Sequence, residues 1–140
     1  MKPLIPTLLS LFVWTASPGW AATSQPRTTL LNEYTSQAKQ ADGSFAGFSA
    51  QRGEKFFQGN HTGGKPDTPS CTTCHNTSPM AMGQTRANKP IDPMAVSKTP
   101  DRFTDREKVE KWFTRNCQSV LGRECTPQEK GDVITYLGNL

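Results

Sequence analysis

Two cysteines with two residues between them, followed directly by a histidine, stand at Cys71-Thr72-Thr73-Cys74-His75. Three chemistries use these residue types. The first is covalent attachment of a c-type haem. One turn of chain lets both thiols reach the two vinyl groups on one porphyrin edge, and the adjacent imidazole is carried beneath the ring to the iron. The second is a Cys-x-x-Cys redox pair, which needs a strand before it and a helix after it inside a βαβ unit. Here the preceding stretch, Gly63-Gly64-Lys65-Pro66-Asp67-Thr68-Pro69-Ser70, is a loop full of breakers. The third is a tetrahedral zinc site, which needs further well-placed ligands. The chain has only four cysteines and two histidines, so a chance match competes weakly. The other two cysteines, Cys117 and Cys125, have a separate use. The spacing therefore favours one covalently bound haem c, tethered by Cys71 and Cys74, with His75 as an axial ligand.

A haem needs a wrapper, and the pattern supplies helices for one. Leu30, Leu31, Tyr34 and Ala38 fall on one face of a helix expected from Thr28 to Ala41, which Asp42-Gly43 stops. A second helix is expected up to Gln58, with Ser49 as N-cap and Ala50, Gly53 and Phe57 on one stripe. Glycine in mid-helix costs about 1 kcal/mol relative to alanine, and close approach of another helix at Gly53 would justify it. Thr104-Asp105-Arg106-Glu107 reads as a capping box that opens a third helix to about Asn116, with Val109, Trp112 and Phe113 apolar. Thr126-Pro127-Gln128-Glu129 is a second box, strengthened by proline at the first helical position, and opens the last helix. No segment alternates with period two, so the expected fold class is all-α. Residues 76 to 103 form a long Pro- and Gly-rich excursion, a length that in a small domain wraps a cofactor or carries function.

At 140 residues, 34% hydrophobic and 20% charged, the chain is expected to hold one small domain behind a leader. Met1-Lys2 is a short basic start, and the apolar run from Leu4 to Trp14 is too short to span a bilayer as a helix. Ser17-Pro18-Gly19-Trp20-Ala21 has the small residues of a signal-peptidase site. Cleavage is expected after Ala21, giving a leader at 1–21 and a soluble, exported monohaem domain at 22–140. Covalent haem attachment and stable disulfides both belong to oxidising compartments, and a bacterial periplasm is the natural setting. In such a compartment Cys117 and Cys125, the pair left over from haem attachment, are expected to bond to each other between the last two helices. Loss of Lys2 with the leader takes the net charge from +4 to +3, a mild excess. No basic run with interleaved aromatics argues for nucleic acid. A thin core in so short a chain would lean on the macrocycle and the disulfide for stability.

The ligand on the second face of the iron decides the function. A fixed methionine makes an electron carrier with a raised potential, whereas an open or weakly held position admits small ligands. Met80 and Met82 follow His75 too closely to swing to the opposite face without strain. Met94, preceded by proline and nineteen residues after His75, is the methionine that could serve. His61 lies in the loop before the haem motif and is expected to be solvated. By charge alone, Lys65, Arg86 and Lys89 are candidate partners for the haem propionates.

Gly53 to Phe57, the haem motif and Asp132-Val133-Ile134-Thr135-Tyr136-Leu137 together resemble class I cytochrome c. The likeness is closer to one branch, the oxygen-binding cytochromes called sphaeroides haem protein. It rests on Thr62 to His75, Thr99 to Asp105, Val109 to Trp112, Arg115-Asn116-Cys117, Gly122-Arg123, Cys125-Thr126-Pro127 and Glu129-Lys130. The methionines at 80, 82 and 94 depart from that branch. The resemblance implies a class I cytochrome c-like helical domain wrapped around one covalent haem, with an extra helix at the N-terminal side. It also implies that Asn116 is the sixth ligand of the oxidised haem, next to a Cys117–Cys125 disulfide. An amide oxygen is a hard, weak donor that suits ferric better than ferrous iron. Asn116 should therefore act as a redox-switched gate, letting go on reduction so that oxygen, nitric oxide or peroxide binds and is reduced. Electrons would come from another cytochrome, a dihaem c-type donor and a membrane b-type cytochrome by resemblance. Trp112 and Phe113, one turn before Asn116, are candidates to wall the distal pocket. Two other functions use the same residues: plain electron transfer with Met94 fixed on the iron, and non-catalytic carriage or sensing of a diatomic ligand. The residues alone do not assign an enzyme activity.

Overall fold

Helix α2 (Ala50–Gln58) crosses helix α5 (Pro127–Gly138), and this crossing sets the frame for everything else. The computed structural model describes residues 24–140; the expected leader lies outside the described residues. Gly53 is buried where the two helices meet. A Cβ there would run into the backbone carbonyl of Asp132 and crowd Cβ of Tyr136. The mid-helix glycine is thus explained by contact, as its cost required. Asp132 is buried beside it. Its carboxylate accepts from the Ser49 backbone N–H at 2.6 Å and from Arg52 Nε at 2.8 Å, so the start of α2 is pinned to α5. Ser49 caps α2 as expected, its hydroxyl accepting from the Arg52 N–H.

Helix α1 (Ser24–Ala41) starts earlier than the periodicity alone placed it and lies against α5. Leu30 and Tyr34 pack with Val109 and Ile134, and the Tyr34 hydroxyl donates to Glu110 at 2.6 Å. Near its start, Arg27 donates to the carbonyls of Pro100 and Arg102. The extra helix is therefore tied to the fold at both ends of its buried face.

Helix α4 (Arg106–Leu121) departs from expectation at both ends. Its N-cap is Asp105, one residue after Thr104: the Asp105 carboxylate accepts from the Lys108 N–H, while the Thr104 hydroxyl turns back to the Asp101 carbonyl. Its last turn runs five residues past Asn116, because Cys117, Val120 and Leu121 continue the buried stripe begun by Val109. Gly122, in the left-handed conformation at φ +70, then ends it. At α5 the second capping box forms in full, with Thr126 and Glu129 satisfying each other's backbone N–H groups.

A short helix α3 (Thr72–His75) carries the haem motif. The long excursion after it is irregular except for a two-stranded antiparallel ribbon, β1 (Gly83–Gln84) and β2 (Pro90–Ile91), which the absence of a period-two pattern had not announced. Strands of two residues are too short to show a period. The helical class stands, with this ribbon folded against α3.

Candidate haem-binding site

The site is assembled from three stretches far apart in sequence. In the first, the His75 N–H donates to the Cys71 carbonyl at 3.0 Å, so one helical turn holds both thiols and the imidazole together. Ser70, buried beneath, receives the Thr72 N–H on its hydroxyl and donates to the Phe57 carbonyl at 3.3 Å, which fixes the turn to α2. In the second, the Gly63-Gly64 pair lies on the last turn of α4. A Cβ on Gly64 would strike the backbone of Ser119 and Val120, and the Lys65 N–H donates to the Ser119 carbonyl at 2.7 Å. The breakers before the motif thus dock the loop on α4. In the third, the turn of the ribbon reaches over the same space, and Arg86 pairs with Asp67 at 2.6 Å.

These stretches enclose a cavity of about 300 Å³. Cys71, Cys74 and His75 line it together with Asn116, Ser119 and Val120 of α4, Lys65, Thr68 and Ser70 of the loop, and Thr85 to Ala87 of the ribbon turn. A wider hollow of about 620 Å³ adjoins it along Thr72 to Cys74 and the ribbon. Residues 71, 74, 75 and 116, separated by more than forty positions at the widest, share one space.

The electrostatics separate the three chemistries of the motif. Burial pushes the Cys71 thiol up to about 11, the reverse of the depressed value that makes a redox cysteine reactive. Cys71 and Cys74 are both unbonded, while Cys117 and Cys125 are joined with Cα atoms 5.6 Å apart and so are spent as metal ligands. Among the described residues, no strand precedes α3. His75 is held down to about 4, chiefly by burial and secondly by the Arg102 guanidinium, so at neutral pH it is an uncharged imidazole, the form that ligates a metal. Its Nδ1 is buried and has no hydrogen-bond partner, the one such side-chain atom among the described residues. Two free thiols and an imidazole left incomplete by the protein, on one cavity, fit a tetrapyrrole tethered there.

Asn116 is half-buried at the cavity, and its side-chain amide makes no hydrogen bond among the described residues. Met94 does not line the cavity; it packs on Phe57, Val133, Tyr136 and Leu137. Met80 is exposed and accepts from the Ser97 hydroxyl, and Met82 is exposed at the wider hollow. Lys65 and Arg86 line the cavity, whereas Lys89 lies outside it. His61 is half-buried, its ring 4.9 Å from that of Phe56 and its Nε2 paired with the Phe56 carbonyl. Neither aromatic proposed as a pocket wall serves as one. Trp112 is 48% exposed with Arg115 over its ring, and Phe113 turns into the core clusters, because the buried stripe of α4 passes through Phe113 and Cys117. The disulfide also differs from expectation in place. Cys117 lies inside α4, so the bridge fastens the helix's last turns to the loop before α5. Arg102 escaped sequence reasoning. It donates to the carbonyls of Asp92 and Pro93, and only the fold brings its charge to His75.

A family described as Domain of unknown function (DUF1924) matches residues 43–137. Cytochrome c-type protein SHP of Cereibacter sphaeroides is 48% identical over 122 residues, covering 87% of this chain and 89% of that protein. The chain belongs to the c-type cytochromes. Cytochrome c'' of Methylophilus methylotrophus is 34% identical over 109 residues, 77% of this chain and 76% of that protein. Among solved structures, oxidized SHP, described as an oxygen binding cytochrome c, superposes with a TM-score of 0.75 at 49% identity, over 81% of this chain and 96% of that one. Oxidized cytochrome c'' gives 0.68 at 32% identity, over 81% and 93%. The helix-dominated fold of this cytochrome is that of both relatives, and its cofactor is one covalently bound haem c.

Proposed function

We propose that this cytochrome, exported to the periplasm, binds oxygen or a related small ligand such as nitric oxide or peroxide, and reduces it with electrons from another cytochrome. Haem c would supply an iron able to bind and reduce such a ligand. Cys71 and Cys74 would tether it and His75 would ligate its iron. Asn116 would ligate the oxidised form and let go of the reduced one, since an amide oxygen is a poor partner for ferrous iron. The observation that carries the reading is Asn116 itself: a half-buried amide without a hydrogen bond among the described residues, on the same cavity as Cys71, Cys74 and His75. The disulfide at the next residue and the docked Gly63-Gly64 loop hold the backbone around it, so only the side chain needs to move. The description of SHP as an oxygen binding cytochrome supports the same ligand class for this chain.

Absorption spectra of the oxidised and the dithionite-reduced holoprotein, with and without carbon monoxide, test this. The expected result is a high-spin ferrous spectrum that shifts promptly with carbon monoxide, and ferric protein without a methionine-to-iron band. Asn116→Ala should change the ferric spectrum and leave the ferrous spectrum unchanged. A low-spin ferrous form indifferent to carbon monoxide would sink the gate and point to Met94 and plain electron transfer. Steady oxygen consumption under continuous electron supply separates turnover from mere carriage.

A further inference from the structure

The positive charge of this protein is unevenly neutralised. Arg52, Arg86, Arg106, Arg123 and Lys130 are each in an ion pair. On α4, Lys108, Lys111 and Arg115 are exposed, follow one another at i, i+3 and i+7, and form no ion pair among the described residues. Between them stands Trp112, 48% exposed, with the Arg115 guanidinium 5.6 Å from its ring centre. The apolar stripe of α4 is buried elsewhere, so Trp112 is not a core residue. Of the helix's carboxylates, Glu110 is held by Lys130 and Tyr34, and Glu107, one turn before Lys111 and on the same side, offsets one of the three charges, so the face stays net positive. One turn further on, the Ser119 carbonyl receives the Lys65 N–H, which brings a fourth unpaired cation to the end of the stripe and to the rim of the cavity. Trp112 precedes Asn116 by four residues, about 6 Å along the helix axis. The cationic face and the haem site are neighbours.

We infer that the Lys108, Lys111, Trp112 and Arg115 face of α4, extended by Lys65, is the docking surface for the acidic face of an electron-donating protein. The inference rests on the reading that electrons reach the haem from another protein. Like-signed charge clustered beside a redox centre steers an oppositely charged partner and raises its association rate. An exposed tryptophan stacked with an arginine supplies the short-range contact, the pair of residue types that dominate binding energy at interfaces. An anionic membrane fits less well, because insertion calls for a wide apolar face and α4 offers one tryptophan.

Stopped-flow reduction of the ferric holoprotein tests this with three reductants: anionic Fe(EDTA), cationic hexaammineruthenium(II), and reduced flavodoxin as an acidic protein probe. With Fe(EDTA) and flavodoxin the rate should fall several-fold as salt rises from about 0.01 M to about 0.5 M, as screening removes steering. Lys111→Glu with Arg115→Glu should slow both by roughly ten-fold at low salt and speed the ruthenium reaction. Lys98→Glu, a charge change in the loop against the end of α5, should move none of them appreciably. Trp112→Ala should weaken the flavodoxin reaction alone. The changed side chains are exposed, and far-ultraviolet circular dichroism checks that the variants stay folded. The proposal is overturned if the double variant matches Lys98→Glu with all three reductants. It is equally overturned if the face binds phosphatidylglycerol vesicles while the flavodoxin rates stay as in the unaltered protein. A failed Asn116 gate would show in the carbon monoxide spectra and leave these rate ratios standing, so the two ideas fail separately.

Discussion

Gly53→Ala turns the α2–α5 crossing into a test of sign. In an exposed helix the change would stabilise by about 1 kcal/mol, through helix propensity. Here the new methyl group meets the Asp132 backbone carbonyl, and Cβ of Tyr136 stands 3.0 Å away. A backbone oxygen inside a helix cannot swing aside as a side chain can, so α2 must shift bodily and the Ser49 and Arg52 bonds to Asp132 must stretch with it. Overpacking of this kind costs about 1–3 kcal/mol, and a clash with backbone belongs at the upper end. Offsetting the propensity gain leaves a net loss of about 2 kcal/mol. For a domain of this size that lowers the Tm by roughly 8 °C. Gly138→Ala, in the last turn of α5, is the internal control, because nothing lies within 4 Å of a Cβ there and it should be neutral or stabilising by up to about 1 kcal/mol. Urea unfolding of the holoproteins, followed at 222 nm and in the Soret band, reads both. If Gly53→Ala is as stable as the unaltered protein or more so, the crossing is not as close as described, and the reasoning is wrong.

Three further outcomes are expected. Replacing Cys117 and Cys125 together by alanine should cost about 2.5 kcal/mol from the loop of eight residues they close, measured by urea unfolding against the intact protein. Glu129 is pushed up by burial but held below its ordinary 4.5 overall by bonds from Arg123 and Thr126. A carboxyl depressed in the folded state contributes stability that is full above the unfolded value and lost as pH falls through the folded one. The Glu129→Gln penalty should therefore be present at pH 7 and shrink steadily below about pH 4.5, and a penalty that grows with acid would contradict the assignment. Finally, the purified protein should have the mass of a chain starting at Ala22 plus one haem. Acid–organic extraction should leave its haem attached and release the haem from Cys71→Ser with Cys74→Ser, which requires both thiols to be the tethers.

Local chemistry was open to reading wherever a signal spans only a few residues. The Cys-x-x-Cys-His motif, the Ser49 cap, the Thr126 box and the mid-helix glycine each declare themselves within about one turn. The two caps and the close approach at the glycine form as expected, and Cys71 to His75 form one helical turn. The failures have one physical cause, competition between neighbouring local signals that only packing arbitrates. Thr104 and Asp105 are both competent caps, and the Asp101 carbonyl claims the Thr104 hydroxyl. The helix was expected to end at about Asn116, and only packing shows that Cys117, Val120 and Leu121 carry its buried stripe further. Trp112 and Phe113 are adjacent apolar residues that point about 100° apart, and packing rather than local pattern decides that Phe113 turns inward while Trp112 stays exposed.

By itself, the sequence determined the helical class, the haem motif, the leftover cysteine pair and the asparagine beside it, because covalent chemistry and capping depend on spacing along the chain. The meeting of Asn116 with His75 across forty-one positions was decided by tertiary structure alone. So were the approach of Arg102 to His75, the exposure of Trp112 and the packing of partly buried Met94 on the core. These depend on which helix faces are left after the core has taken its share, and that is settled by packing between elements that no local pattern records.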